Sequence, residues 1–355
     1  MLEPKRKVLR SATRGRNAYA SAIRPAAKDA VPALIEALND ESAYARDMAA
    51  DALREVGPAA VPALIEALKA KNSHVRSGAA KALGGIGPAE KEAVPALVEA
   101  LKDQNSDVRI EAACAHWRIT RDAKLAVPVL IEALKYGDPL GDIQRILREI
   151  GPAAIPALIE ALQHENWRIR RGAAEVLAFI GPQAKDAVPA LLEALKDQEP
   201  RVRVAAAEAY WRLTQDEKLA VPVLTEALKD KDWIARRNAA SVLEKIGPHA
   251  KEAVPALLEA LRDQEPLVRI ATMKALGAIG PAAKDAVPAL IEALKDVPFV
   301  RSDAAEALGK IGPVAKDAVP ALTEALKDKS PLVRQAAAEA LKKIDPEAAK
   351  KAGVP

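Results

Sequence analysis

Side chains that could do covalent or metal chemistry are few in this chain of 355 residues. There are four histidines, His74, His116, His164 and His249, and a single cysteine, Cys114. No two histidines have metal-ligand spacing on one helix, so no metal ligand is assigned. His164-Glu165 is a single His-Glu pair in a turn. The sequence has no P-loop, no Gly-x-Ser-x-Gly elbow and no Cys/His nucleophile arrangement. Cys114 stands beside His116 and Trp117, which would suit a thiol site. A lone thiol among small helix residues is ordinarily inert, however. His116 stands at a place that Tyr210 fills elsewhere, which points to packing. No catalytic residue and no cofactor is assigned, and the chain reads as a non-enzyme. Its notable polar chemistry is that of recognition, carried by tryptophans and many arginines.

The elements that must position those side chains follow from one recurring phrase. Val-Pro or Ile-Pro recurs at Val31, Val61, Val94, Val127, Ile155, Val188, Val221, Val254, Val287 and Val319, mostly 33 residues apart. A fixed period in this range means a stack of one supersecondary unit. In the copy from Asp186 to Thr214, Asp186 reads as a helix N-cap and Pro189 falls in the first turn, where its missing N–H costs little. Val188, Leu191, Leu192 and Leu195 then make an amphipathic stripe. A turn follows, and a second helix begins near Arg201. Val202, Ala205, Ala206, Ala209, Tyr210 and Leu213 share its inner face. Most copies close with Gly-Pro, which stops the helix. Nothing reads as a strand. Neither helix can bury its stripe alone, so stacking must supply the core.

This pattern resembles HEAT repeats, in particular the short variety named after phycobilisome lyases. The matching phrase is AVPALIEALKD followed by VRxAAAEALGxIGPxAKD, from about Pro25 to Asp345. The resemblance implies an all-α fold, a right-handed α-solenoid of about ten two-helix HEAT-like repeats. It also implies that first helices line the convex side and second helices the concave side. Arg46, Arg76, Arg109, Arg170, Arg203, Arg236, Arg269, Arg301 and Arg334 each follow the first apolar residue of a second helix. Asp40, Asp103, Asp197, Asp230, Asp263, Asp296 and Asp328 stand in the turns. This looks like the Asp/Arg ladder of HEAT proteins, with guanidinium groups bridging turn carboxylates and carbonyls between layers. Phosphate recognition by these arginines is the other reading.

Departures from the repeat locate the candidate site. Two, six and nine residues beyond the first apolar residue of each second helix lie positions that the apolar stripe does not use. On this face Ile110, Trp117, Arg171, Val204, Trp211, Arg237 and Ile270 are apolar, aromatic or basic. They are the candidate partner-binding residues. Trp117 and Trp211 have a second reading, in which they fold over the gap left where Thr120 and Thr214 replace Gly-Pro. Trp167 and Trp233 stand two residues before the first apolar position and read as covers for the turn. The fourth unit, YGDPLGDIQRILREIG, is short and lacks the Val-Arg start, so a local change of superhelix geometry is expected there.

Charge divides the chain. Residues 1–28 carry a net +7 and the whole chain +4, leaving −3 for the rest. The reading is a basic N-terminal arm or half-repeat at 1–28, a single solenoid domain at 29–345 and a C-terminal tail at 346–355. One cysteine excludes an internal disulfide framework. No apolar run reaches membrane-spanning length, and the first residues lack an apolar signal core, so a cytoplasmic monomer is expected. The expected function is a non-catalytic scaffold holding a protein or peptide in its concave groove. The resemblance adds a lyase or chaperone acting on a tetrapyrrole-bearing protein. A DNA-binding HEAT protein is a third possibility, and the negative body argues against it.

Overall fold

The computed structural model describes residues 28–87, 91–137 and 142–354. The expected basic arm therefore falls, except for Lys28, outside the described residues. The chain divides into two compact units, Met1–Val176 and Leu177–Pro355.

Among the described residues there are helices and turns and no strand. In the first unit the helices pair as α1 (Val31–Ala37) with α2 (Ala43–Val56), α3 (Val61–Ala67) with α4 (Ser73–Ile86), and α5 (Val94–Ala100) with α6 (Ser106–Thr120). They continue as α7 (Ala123–Ala133) with α8 (Asp142–Ile150), then α9 (Ile155–Ala161) with α10 (Trp167–Ile180), inside which the division falls. The second unit pairs α11 (Val188–Ala194) with α12 (Pro200–Thr214), α13 (Glu217–Ala227) with α14 (Trp233–Ile246), and α15 (Val254–Ala260) with α16 (Pro266–Ile279). It ends with α17 (Val287–Ala293) beside α18 (Pro298–Ile311), α19 (Val319–Ala325) beside α20 (Pro331–Ile344), and α21 (Pro346–Lys351). The last of these occupies most of the stretch read as a tail, with Asp345 capping it and Val354 buried behind it. The all-α two-helix repeat is thus as the sequence predicts.

The core is made of alanine and leucine from paired stripes. In the copy used above, Leu191, Ala206 and Ala209 are fully buried, and Tyr210 and Leu213 nearly so. Burying each leucine contributes about 1.5–3 kcal/mol, so a helix as short as α11, with seven residues, is held by its neighbours and not by its own propensity. Gly-Pro ends these helices as expected: Gly312, for instance, has φ +82°, a left-handed value that any Cβ would strain.

One local expectation fails. Asp186 does not cap α11. It lies inside the 3₁₀ segment Gly181–Ala187, and Ala187 is the residue before the helix, with no side-chain cap. The 3₁₀ turn runs directly into the α-helix, so there is no free first turn for a carboxylate to serve.

Neighbouring second helices pack so closely that some contacts admit only glycine. A Cβ added at Gly309 in α18 would lie 2.8 Å from the Cα of Ala340 in α20, and one at Gly84 in α4 would lie 2.9 Å from the Cα of Ala115 in α6. Helix propensity alone would reward Gly309→Ala by about 1 kcal/mol. The clash is with backbone, so the expected outcome is a net loss of about 1–2 kcal/mol in urea unfolding. A more stable variant would show that the two helices can separate freely.

Candidate partner-binding face

The arginine just after the first apolar residue of the second helices, absent from α8, is used inside the repeat. Arg76 donates from Nε and Nη2 to Asp103 at 2.6 and 2.9 Å, and from Nη1 to the carbonyls of Ala70 and Lys71. Arg236 does the same with Asp263 and with the carbonyls of Asp230 and Lys231. Arg203 with Asp230, Arg269 with Asp296 and Arg301 with Asp328 repeat the bridge. Each guanidinium fastens its own turn and the turn of the next repeat. The Arg76 hydrogen bond holds the Asp103 carboxyl below its ordinary range, against the opposing effect of burial. This is the ladder that the sequence suggested. Its arginines are held by their own turns, and Arg76, Arg203, Arg236, Arg269 and Arg301 by an acid of the next repeat as well.

Of the residues whose types could do chemistry, His116 and Cys114 are buried, His164 is half-buried, and His74 and His249 are exposed. His116 is 3% exposed and sits below the Thr120 hydroxyl, which donates to the His116 carbonyl. His164 takes the place of a turn aspartate: its Nδ1 accepts from the Asn166 N–H as Asp103 accepts from Asn105. Burial pushes the Cys114 thiol up to about 12. Its thiolate fraction near pH 8 is then on the order of one in ten thousand. Iodoacetamide should leave native Cys114 unmodified while labelling it fully in 8 M urea, read by intact mass. Rapid native labelling would contradict the packing described. Among the described residues no three His, Cys, Asp or Glu side chains could together hold a metal ion.

The seven candidate residues separate by burial. Ile110, Trp117 and Arg171 lie in the first unit, and Val204, Trp211, Arg237 and Ile270 in the second. Trp117 is 8% exposed and Val204 3%, so both are packed inside the repeat. Trp117 also has the Arg121 guanidinium over its ring at 5.2 Å. Arg121 ends α6 in a left-handed conformation, φ +58°, where other repeats use glycine. Ile110, Arg171, Trp211, Arg237 and Ile270 are partly exposed.

Arg171 and Arg237 share an arrangement that sequence reading did not connect. Arg171 lies 5.6 Å over the ring of Trp167, one turn earlier on α10, and Arg237 lies 5.6 Å over Trp233 on α14. The signal was present, since Trp and Arg stand at i and i+4 in both helices. Each pair is a planar cation laid on an indole, partly open to solvent. Arg171 Nε also lies 3.2 Å from Glu175 Oε1, and Arg237 donates to Asn238.

A sequence profile described as HEAT repeats matches residues 31–116, 127–211, 188–253, 221–309 and 298–352. The chain belongs to the HEAT-repeat family. Among solved structures, importin β matches with a TM-score of 0.58 at 17% identity, covering 96% of this chain and 55% of that one. The karyopherin Kap121p bound to the SUMO protease Ulp1p matches at 0.50 and 16% identity, covering 97% of this chain and 45% of that one. An engineered protein matches at 0.46 and 23% identity, covering 96% of this chain and 94% of that one. The chain thus spans about half the length of the two natural neighbours, and these likenesses concern the fold. No curated protein sequence matches it. No helix among the described residues is long and apolar enough to cross a membrane.

The HEAT repeats of the second unit carry a further row that sequence reading passed over. Leu267, Phe299 and Leu332 stand one residue before the first apolar position in α16, α18 and α20, and are 49%, 67% and 55% exposed. A regular apolar residue after Pro266, Pro298 and Pro331 was the available signal. The equivalent residue of α12, Arg201, instead pairs with Asp232.

Proposed function

We propose that this HEAT-repeat protein is a non-catalytic scaffold that binds a protein or peptide on the face of its second helices. The observation that carries the reading is the pair of partly exposed arginines, Arg171 and Arg237, stacked on Trp167 and Trp233. Every repeat that has a ladder arginine uses it for its own turns, whereas these two point their chemistry elsewhere. Tryptophan and arginine are the residue types that most often anchor protein interfaces. Stacking orders the guanidinium before binding, which lowers the entropy lost on capture. Ile110 in the first unit and Trp211 and Ile270 in the second are also partly exposed, whereas Trp117 and Val204 are buried. Support from relatives is of the same kind: a karyopherin of this fold is seen holding a SUMO protease.

A lyase or chaperone role toward a tetrapyrrole-bearing protein follows from the finer resemblance to phycobilisome-lyase-like repeats. Mixing with a bilin would separate the two, because only that role predicts a shifted bilin absorbance.

The scaffold reading is tested by photo-crosslinking in the cell of origin. A benzophenone amino acid replacing Ile270 should trap one defined polypeptide. The same group replacing Pro255, exposed on α15, should trap none. Equal trapping at both places, or trapping only at Pro255, would refute the choice of face.

A further inference from the structure

The Arg/Asp ladder has a gap that opens into a cleft. Arg109 is the ladder arginine of α6. From Nη1 it donates to the carbonyls of Asp103 and Gln104 at 2.7 and 3.0 Å, as Arg76 does one repeat earlier. Among the described residues no carboxylate stands where Asp103 meets the other two nitrogens of Arg76. Asp103, which serves Arg76, stands nine residues after Val94; nine residues after Val127 stands Tyr136. Among the described residues no hydrogen-bond acceptor or acid meets Arg109 Nε or Nη2.

The space beside it is shaped. A cleft of about 240 Å³ is walled by Ile110, Pro128, Val129, Ala133 and Tyr136, with Arg109 at its side. The corresponding cleft one repeat earlier is lined by Arg76, Ala96, Glu99, Ala100 and Asp103, so the same place is there supplied with its own acid. Glu132 is the carboxylate in the open cleft. It is drawn into an ion pair with Lys135 and lies 3.7 Å from His164 Nε2. Lys135 offsets its charge. Arg46 also lacks a turn acid, with Ala70 nine residues after Val61, but the carbonyls that hold it are exposed.

We infer that the Arg109 cleft takes an aspartate or glutamate side chain of a bound partner protein, which supplies the carboxylate that no described residue provides there. The geometry is already present in this chain as the side-on pair of Arg76 with Asp103. A planar guanidinium with two parallel free N–H groups matches a carboxylate's two oxygens. The apolar walls suit the partner's neighbouring methylene and alkyl groups. A nucleic-acid phosphate fits the guanidinium but not these walls, and the net −3 outside residues 1–28 would repel a duplex. The inference rests on the protein-binding reading above and gives it a chemical class of partner.

Side-chain NMR of the arginine Nε–H groups in the full chain tests it, with the Arg109 signal identified by its loss in Arg109→Lys. The probe is the tripeptide acetyl-Leu-Asp-Leu-amide, and acetyl-Leu-Asn-Leu-amide is its neutral twin. The acidic peptide should shift the Arg109 signal saturably, with at least tenfold weaker response to the twin. In Tyr136→Asp the free protein should already show Arg109 at the position of the bridged ladder arginines, and the response should vanish. Equal response to both peptides, an equal response to sodium acetate, a stronger one to a single-stranded thymidine oligonucleotide, or an unchanged response in Tyr136→Asp would each overturn the inference. Ile270 lies in the other unit, so its crosslinking result fails or succeeds separately from this titration.

Discussion

Trp117→Ala should destabilise the first unit by about 3–5 kcal/mol, seen as a lower urea midpoint. The indole is 8% exposed and caps the last turn of α6 beneath Arg121, so its removal opens a cavity that short helices cannot close. Its counterpart in the duplicated block, Trp211, is partly exposed and should cost well under half as much. The two substitutions are identical in chemistry and differ only in burial. Equal losses would mean that burial is not what distinguishes them.

Arg236→Met should cost about 3 kcal/mol at neutral pH. The side chains of Arg236 and Asp263 are 16% and 8% exposed, and two hydrogen bonds join them while two more fasten the preceding turn. Removing the arginine leaves a covered carboxylate with no cation, which is the costly way to break a pair. The pH dependence has a definite sign. Burial pushes the Asp263 carboxyl up, and the Arg236 hydrogen bond, the Glu265 N–H and nearby positive charge outweigh it, so the folded value lies below the ordinary one. Its stabilising contribution is therefore full above the unfolded value of about 3.9 and is lost as pH falls through the lower folded value. In Arg236→Met the carboxylate becomes a liability at neutral pH, and protonation relieves it. The gap between variant and parent should be widest near pH 7 and shrink as pH falls through the ordinary carboxylate range and below it. A gap that widens in acid would contradict the ladder's role.

The fold was legible because the period is written in Val-Pro, in the turn aspartates and in the arginines that bridge them. Those features act between residues at fixed separations, so periodicity alone exposes them. The candidate face was legible only in part. Whether position nine of a second helix is surface or interior depends on the next repeat. Gly84 and Gly309 there meet an alanine of the following helix, and Trp117 at the same position is enclosed. A sequence read one helix at a time cannot show that, and the same limit hid the burial of Val204. The stacking of Arg171 on Trp167 was hidden for a different reason: Trp167 and Trp233 were read as turn covers, yet each opens its helix and so reaches the residue one turn on. Likewise the expected cap at Asp186 ignored the 3₁₀ segment that continues into α11.

The central claim is that the second-helix face holds a polypeptide. Its most direct measurement is the Kd of the partner trapped at Ile270 for the parent chain, for Arg237→Ala with Ile270→Ala, and for Pro255→Ala. Loss of two anchors predicts a Kd raised about 30-fold or more, with the melting temperature nearly unchanged and Pro255→Ala equal to the parent. An unchanged Kd in the double variant, or a loss in Pro255→Ala instead, would contradict the account.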